Sequence, residues 1–169
     1  IDRELDRLYP DPKRKHEKVV IRKGRENYLC LLNYEEAVNA RLPGLGADSG
    51  TLGLIARWIG ATRDGDMVGG DFPAWLRNLL HQSHVADLAD HRGECVYSAC
   101  SHYRKCFVER SARHARQAEL VISNHALVMV LGARGENSSL LPTHYVFDEG
   151  HHLFDAADGT FASCLSGRE

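Results

Sequence analysis

The spacing of apolar residues divides the chain into segments of two kinds. Ile1, Leu5 and Leu8 fall on one face of a helix predicted to run to Tyr9, with Asp and Arg opposite. Pro10 and Pro12 stop it, and Lys13-Arg14-Lys15-His16 reads as a basic linker. Val19-Val20-Ile21 is a β-branched run suited to a strand, closed by Gly24. From Cys30 to about Arg92 the spacing turns helical. Asn33 and Glu36 resemble a capping box opening a short helix through Ala37 and Val38, and Pro43-Gly44-Leu45-Gly46 breaks it. Leu52, Ile55 and Ile59 predict a helix over Thr51 to Ala61. A Gly- and Asp-rich loop, Thr62 to Asp71, precedes a third helix begun at Pro73, with Trp75, Leu76, Leu79 and Leu80 expected inward.

Past a cysteine-rich stretch the pattern is helical from Tyr103 to Ala118, then changes character. Glu119 to Asn124 reads as a buried strand, His125 to Leu131 as a short helix, and Arg134 to Pro142 as a polar loop. His144-Tyr145-Val146-Phe147 reads as a second apolar strand, running into Asp148-Glu149-Gly150-His151. Strand, helix and strand in this order suggest a parallel α/β layer. Cys164 is expected in a further strand as a core residue. The expected class is α+β, mostly α: α/β edges at residues 1–24 and 119–169, with a helical insert over 25–118 between them.

Composition narrows the chemistry. With 169 residues, 43% hydrophobic and 26% charged, the chain has room for one domain or two small interleaved ones. No run approaches the roughly 18 apolar residues of a membrane span, and the first residues lack a signal-peptide pattern. The chain opens on Ile1 rather than Met, so an excised piece of a longer protein is expected. A net charge of −2 rules out a uniformly basic surface, which leaves local patches for any nucleic acid. Five cysteines without a secretory signal argue against a disulfide framework and for a metal.

Three of those cysteines lie together, Cys95-x4-Cys100-x5-Cys106, and Cys30 lies far upstream. Structural zinc sites favour C-x2-C knuckles, whereas the wider gaps here suit the larger body of an iron–sulfur cube. The competing readings are a four-cysteine zinc-binding interaction module and cysteines buried as small hydrophobes; His102 could replace a thiolate in a zinc version but reads rather as an exposed polar side chain. A second motif is the apolar run ending in Asp148 and Glu149, which suits a nucleotide's Mg²⁺ and the water that attacks it. His151 and His152 are adjacent and cannot share a helix face, so they make a poor metal pair. Arg104, Lys105, Arg110, Arg113 and Arg116 form a basic stripe, and Lys13 to Arg25 forms another. Tyr28, Tyr97, Tyr103 and Phe107 lie nearby in sequence as candidates to stack on bases, though Phe107 also reads as core and the stripe as an ordinary solvated face.

In order, the chain carries Arg22-Lys23-Gly24-Arg25-Glu26-Asn27-Tyr28-Leu29-Cys30, Cys95-x4-Cys100-x4-Lys105-Cys106, Ala118 to Leu127, and Asp148-Glu149-Gly150-His151-His152-Leu153. That series resembles the iron–sulfur DNA helicases of superfamily 2, the DinG/XPD type, and most closely the bacterial DinG branch. The resemblance implies that Cys30, Cys95, Cys100 and Cys106 ligate a [4Fe–4S] cluster in a domain inserted into a RecA-like first motor domain. It makes Asp148 and Glu149 the Walker B pair serving Mg-ATP, Asp148 holding Mg²⁺ through water, and His151 the residue coupling nucleotide state to DNA. It implies single-stranded or forked DNA as partner, held by Arg25, Tyr28, Arg104, Lys105, Arg110 and Arg113, with no membrane contact, the remainder of the helicase chain, and a bacterial cytoplasmic, nucleoid-associated location. Gly150 stands where the family usually has Ala, a change small enough to fit. The resemblance implies an ATP-driven 5′→3′ helicase as the parent; no G-x-x-x-x-G-K-[ST] phosphate loop occurs in this piece, which is therefore expected to be inactive alone.

Overall fold

A computed structural model describes residues 2–40, 48–82, 88–91, 93–133 and 142–162. In chain order its helices are α1 (Asp2–Leu8), α2 (Pro12–Lys18), α3 (Leu31–Asn39), α4 (Asp48–Ala61), α5 (Ala74–Gln82), α6 (Phe107–Ala115), α7 (His125–Ala133) and α8 (His152–Phe161). Two strands, β1 (Val19–Arg22) and β2 (Leu120–Ser123), pair in parallel with Val20 opposite Val121. The fold is α+β and mostly α, as the pattern implied. The chain divides into two compact units: Arg25–His114, and Ile1–Gly24 with Ala115–Glu169. The expected Pro43–Gly46 break, almost all of the Arg134–Pro142 loop and Cys164 lie outside the described residues.

In the unit built from both ends of the chain, the stretch read as a basic linker is α2. Asp11 accepts from the Lys13 amide at 3.0 Å and Pro12 takes the first helical position, so the second proline opens a helix instead of closing one. Lys18 ties β1 to β2, its Nζ 2.6 Å from Glu119 while its carbonyl accepts from the Glu119 amide. Leu5 and Val20 are buried, but Leu8 is exposed, as are Ile21 and Leu120; the expected buried strand at β2 is only half-covered. The second predicted strand, His144 to Phe147, does not form. Its backbone has no ladder partner among the described residues, and Val146 is 97% exposed. Tyr145 and Phe147 stack on each other instead, and Phe147 stacks on His125. An apolar run does not make a strand by itself, because a strand without a ladder partner has nowhere to place its amides.

The Arg25–His114 unit has the larger core, with Tyr28, Leu29, Ala37, Leu52, Ile55, Trp58, Phe72, Leu76, Leu88 and Phe107 in one cluster. On α4, Leu52 and Ile55 are buried and Ile59 half-buried, as their period requires. On α5, Leu76 is buried and Leu79 and Leu80 half-buried, but Trp75 points outward, because its position is a quarter-turn off that stripe. The loop after α4 is an ordered knot of side chain to backbone bonds. Asp71 accepts from Trp58 Nε1 (2.8 Å), Thr62 Oγ1 (2.7 Å) and the Arg63 amide (3.1 Å), and Asp66 accepts from the amides of Val68 and Gly69. Burial alone would raise the Asp71 carboxyl, but the bonds from Thr62, Arg63 and Trp58 outweigh it and hold the group below the usual carboxylate range. Trp58 meets Phe72 edge-on, with centroids 4.6 Å apart.

Two outcomes test this core. Gly65 has φ +69°, and a Cβ there would lie 2.2 Å from the Phe107 ring. Gly65→Ala is therefore expected to destabilise the unit by about 2–4 kcal/mol in urea unfolding. Gly53→Ala, in open space on α4, should instead stabilise it by about 0.5–1 kcal/mol. For Asp71 the folded carboxyl is the more acidic, so its stabilisation is complete above the ordinary carboxylate range and fades as pH falls through the folded value. Melting temperatures of wild type and Asp71→Asn should differ at neutral pH and converge in acid.

Candidate metal centre

Cys30 reaches the site because its segment is threaded between two others. The Leu29 amide donates to Gly65 O (3.0 Å), the Cys30 amide to Leu88 O (2.7 Å), and the Met67 amide to Asn27 O (2.8 Å). Tyr28 pairs with Asp66 and Leu29 with Ala89 as isolated antiparallel bridges. Cys30, with extended φ and ψ, is the residue on which α3 opens; the expected capping pair starts nothing, since Asn33 is inside α3 and its side-chain Nδ2 donates to Ala89 O at 3.0 Å.

The other three cysteines sit on one winding stretch. Cys95 precedes a 3-10 turn, Tyr97–Ala99, and Cys100 follows it. Three consecutive turns, closed by bonds from Tyr103 to Cys100, Lys105 to His102 and Cys106 to Tyr103, carry the chain to Cys106. The helix expected from Tyr103 starts only at Phe107, because residues 101–105 are spent on these turns, and it ends at Ala115 rather than Ala118. The four thiols are free and half-buried. Burial pushes the Cys30 and Cys106 thiols up. First-turn amides of α3 and α6 pull the other way, and nearby groups add to the rise: Cys100 and Cys95 on Cys30, Glu109 and then Cys95 on Cys106. Among the described residues no three His, Cys, Asp or Glu side chains converge on a coordinating position.

Two polar clamps hold this stretch against the Cys30 segment. Arg25 Nη1 bonds Asp90 at 3.1 Å, Nη2 bonds Tyr97 Oη at 2.9 Å, and the guanidinium lies over the Tyr97 ring, 5.0 Å from its centroid. Burial works against the Arg25 charge, but Asp90 and Tyr97 more than restore it. Asp90 also accepts from the Glu94 amide at 3.1 Å. Tyr97 is left-handed, with φ +49°, a conformation costing a non-glycine residue about 1–3 kcal/mol, and its amide donates to Cys95 Sγ at 3.4 Å. The second clamp is His102 Nε2 with Glu35 on α3, at 2.8 Å. No local pattern singles out Asp90 or Glu35, whose partners lie 65 and 67 residues away in the chain.

The residues proposed from sequence for DNA separate into two sets. Tyr28 is 4% exposed and belongs to the core, and Arg25 is committed to its clamp. Arg104, Lys105 and Arg110 are exposed on the rim of a groove of about 720 Å³, floored by Leu31, Val38, Ile59 and Phe107. Arg110 lies over the Phe107 ring (5.8 Å), and Arg113 lies over Tyr103 (5.7 Å) while bonding Arg104 O at 3.3 Å.

In the other unit, Asp148, Glu149 and His151 are exposed on the turn before α8. Glu149 has φ +51°, its carboxylate lies 3.3 Å from His151 Nδ1, and the His151 and His152 rings are 4.0 Å apart. Carboxylates on an open turn can meet a hydrated cation, which is the chemistry a nucleotide's Mg²⁺ asks for.

The chain carries these four free thiols in one unit and the two-stranded parallel sheet in the other. No protein-family model matches it. It is 32% identical over 166 residues to the ATP-dependent DNA helicase YoaA of Escherichia coli K12, covering 89% of this chain and 24% of that protein. It is 30% identical over 175 residues to the ATP-dependent DNA helicase DinG of Photobacterium profundum, covering 96% and 24%, and 28% identical over 156 residues to YoaA of Haemophilus influenzae, covering 90% and 24%. The chain is thus a distant homologue of one region of the DinG and YoaA helicases and spans about a quarter of their length.

The placement of Tyr28 gives a direct expectation. Tyr28→Ala should cost about 3–5 kcal/mol of stability, whereas Tyr28→Phe should leave single-strand affinity in a fluorescence-anisotropy titration unchanged.

Proposed function

We propose that this chain is the iron–sulfur region of an ATP-dependent 5′→3′ DNA helicase together with part of its first motor domain. Cys30, Cys95, Cys100 and Cys106 would hold a [4Fe–4S] cluster. The observation that carries the reading is that Arg25, through Asp90 and Tyr97, and Glu35, through His102, tie the elements flanking Cys30 to the stretch that bears Cys95, Cys100 and Cys106. The donor set fits: four free thiols, no disulfide among them, and a backbone N–H already aimed at one sulfur. When bound, the cluster supplies a rigid cross-link between the Cys30 segment and the cysteine turns, and a one-electron couple. The chain's own residues do the rest. Arg25 with Asp90, and His102 with Glu35, fix the turns on the Cys30 side, while the buried faces of Leu29, Leu88 and Phe107 exclude water behind it.

Arg104, Lys105 and Arg110 are the DNA-binding side chains this reading favours, with Arg113 supporting the turn through Arg104 O. They would steer one strand of a fork by its phosphates. Asp148 and Glu149 would serve Mg-ATP in the full-length protein, Asp148 through the metal's water and Glu149 on the attacking water, with His151 linking them to DNA. The exposed Tyr145–Phe147 run is consistent with a strand awaiting further strands of the same motor domain.

Anaerobic purification followed by iron and acid-labile sulfide assay should give about four irons and four sulfides per chain. One zinc and no sulfide would replace this reading with the four-cysteine zinc module. Replacing Arg104, Lys105 and Arg110 together by Ala should weaken single-strand binding and flatten its salt dependence, by about 0.7 in log–log slope for each phosphate no longer neutralised.

A further inference from the structure

Tyr97 is one of two non-glycine residues with positive φ among those described, and it lies two positions from Cys95. A tyrosine gains nothing intrinsic from a left-handed backbone, so the surroundings must impose it. The constraint is visible. Arg25 bonds the Tyr97 hydroxyl at 2.9 Å and lies over the ring at 5.0 Å, and is itself held by Asp90 at 3.1 Å. Asp90 reaches the same strand of chain again through the Glu94 amide. The product of this arrangement is an amide: Tyr97 N–H points at Cys95 Sγ, 3.4 Å away.

We propose that Arg25 is a positioning residue for the metal centre, holding Tyr97 left-handed so that its N–H stays on the sulfur of Cys95. The inference rests on the cluster reading above. Hydrogen bonds to ligand sulfur stabilise the more negative, reduced state of an iron–sulfur centre and so raise its reduction potential. The clamp is then a tuning device as well as a support, acting through a backbone dihedral.

The test uses the whole chain, purified anaerobically, and reads iron content and midpoint potential by spectroelectrochemistry. A wild-type protein holding zinc or no metal removes the cluster reading before any variant is made. With the cluster present, Arg25→Gln should keep its iron and shift the potential to more negative values. Adding Tyr97→Gly to that variant should bring the potential back toward wild type, because glycine adopts the left-handed conformation without a clamp. An iron-loaded Arg25→Gln protein with unchanged potential overturns the inference and leaves the cluster reading intact. If Arg25→Gln loses its iron, Tyr97→Phe decides: it keeps the ring and removes the hydroxyl bond, and an unchanged potential there overturns the inference equally.

Discussion

The three backbone bonds that pin residues 27–30 are the constraint on which the rest of the Arg25–His114 unit depends. They fasten Asn27, Leu29 and Cys30 to Met67, Gly65 and Leu88, the first two of which the chain reaches only after α3 and α4 and the last only after α5 as well. Backbone groups taken from water must find partners, and these give the segment one register and one direction. With the register fixed, Tyr28 and Leu29 enter the core and Cys30 is left half-buried at the head of α3. A slip of one residue would bury the thiol and expose the tyrosine.

Around that thread, polar bonds and apolar packing have different tasks. The Asp71 knot and the Asp66 turn shape the loop so that Gly65 can offer its carbonyl to Leu29 while its bare Cα receives Phe107. Phe107 adjoins Cys106, so the same glycine bears on both the upstream and downstream cysteines. The Arg25 and His102 clamps are more local. A half-buried guanidinium carries a desolvation cost that Asp90 and Tyr97 offset, so the clamp adds specificity of geometry more than net stability.

Much of this was legible in the residues, for physical reasons that differ by element. The β-branched run at Val19–Ile21 and the Leu52, Ile55, Ile59 stripe announce themselves because their periods match the surfaces they pack on. The cysteine spacing is equally plain as a pattern, since residue type and separation are read directly. The helix at Pro12 was also written, in the Asp11-Pro12 pair, but a basic run masked it. Tyr28 misleads because an aromatic beside cations looks the same whether it faces solvent or core; its burial depends on Asp66 and the loop around it, far along the chain. Tyr145 to Phe147 misleads for the opposite reason: its pattern is that of a strand, and a strand is a property of two chains of amides rather than one.

The seat of Phe107 against Gly65 constrains how this region can vary. A side chain can be added at position 65 only if the ring at position 107 shrinks, so the two positions are expected to change together. Changing either one alone would disturb both the loop that offers Gly65 O to Leu29 and the start of α6 beside Cys106.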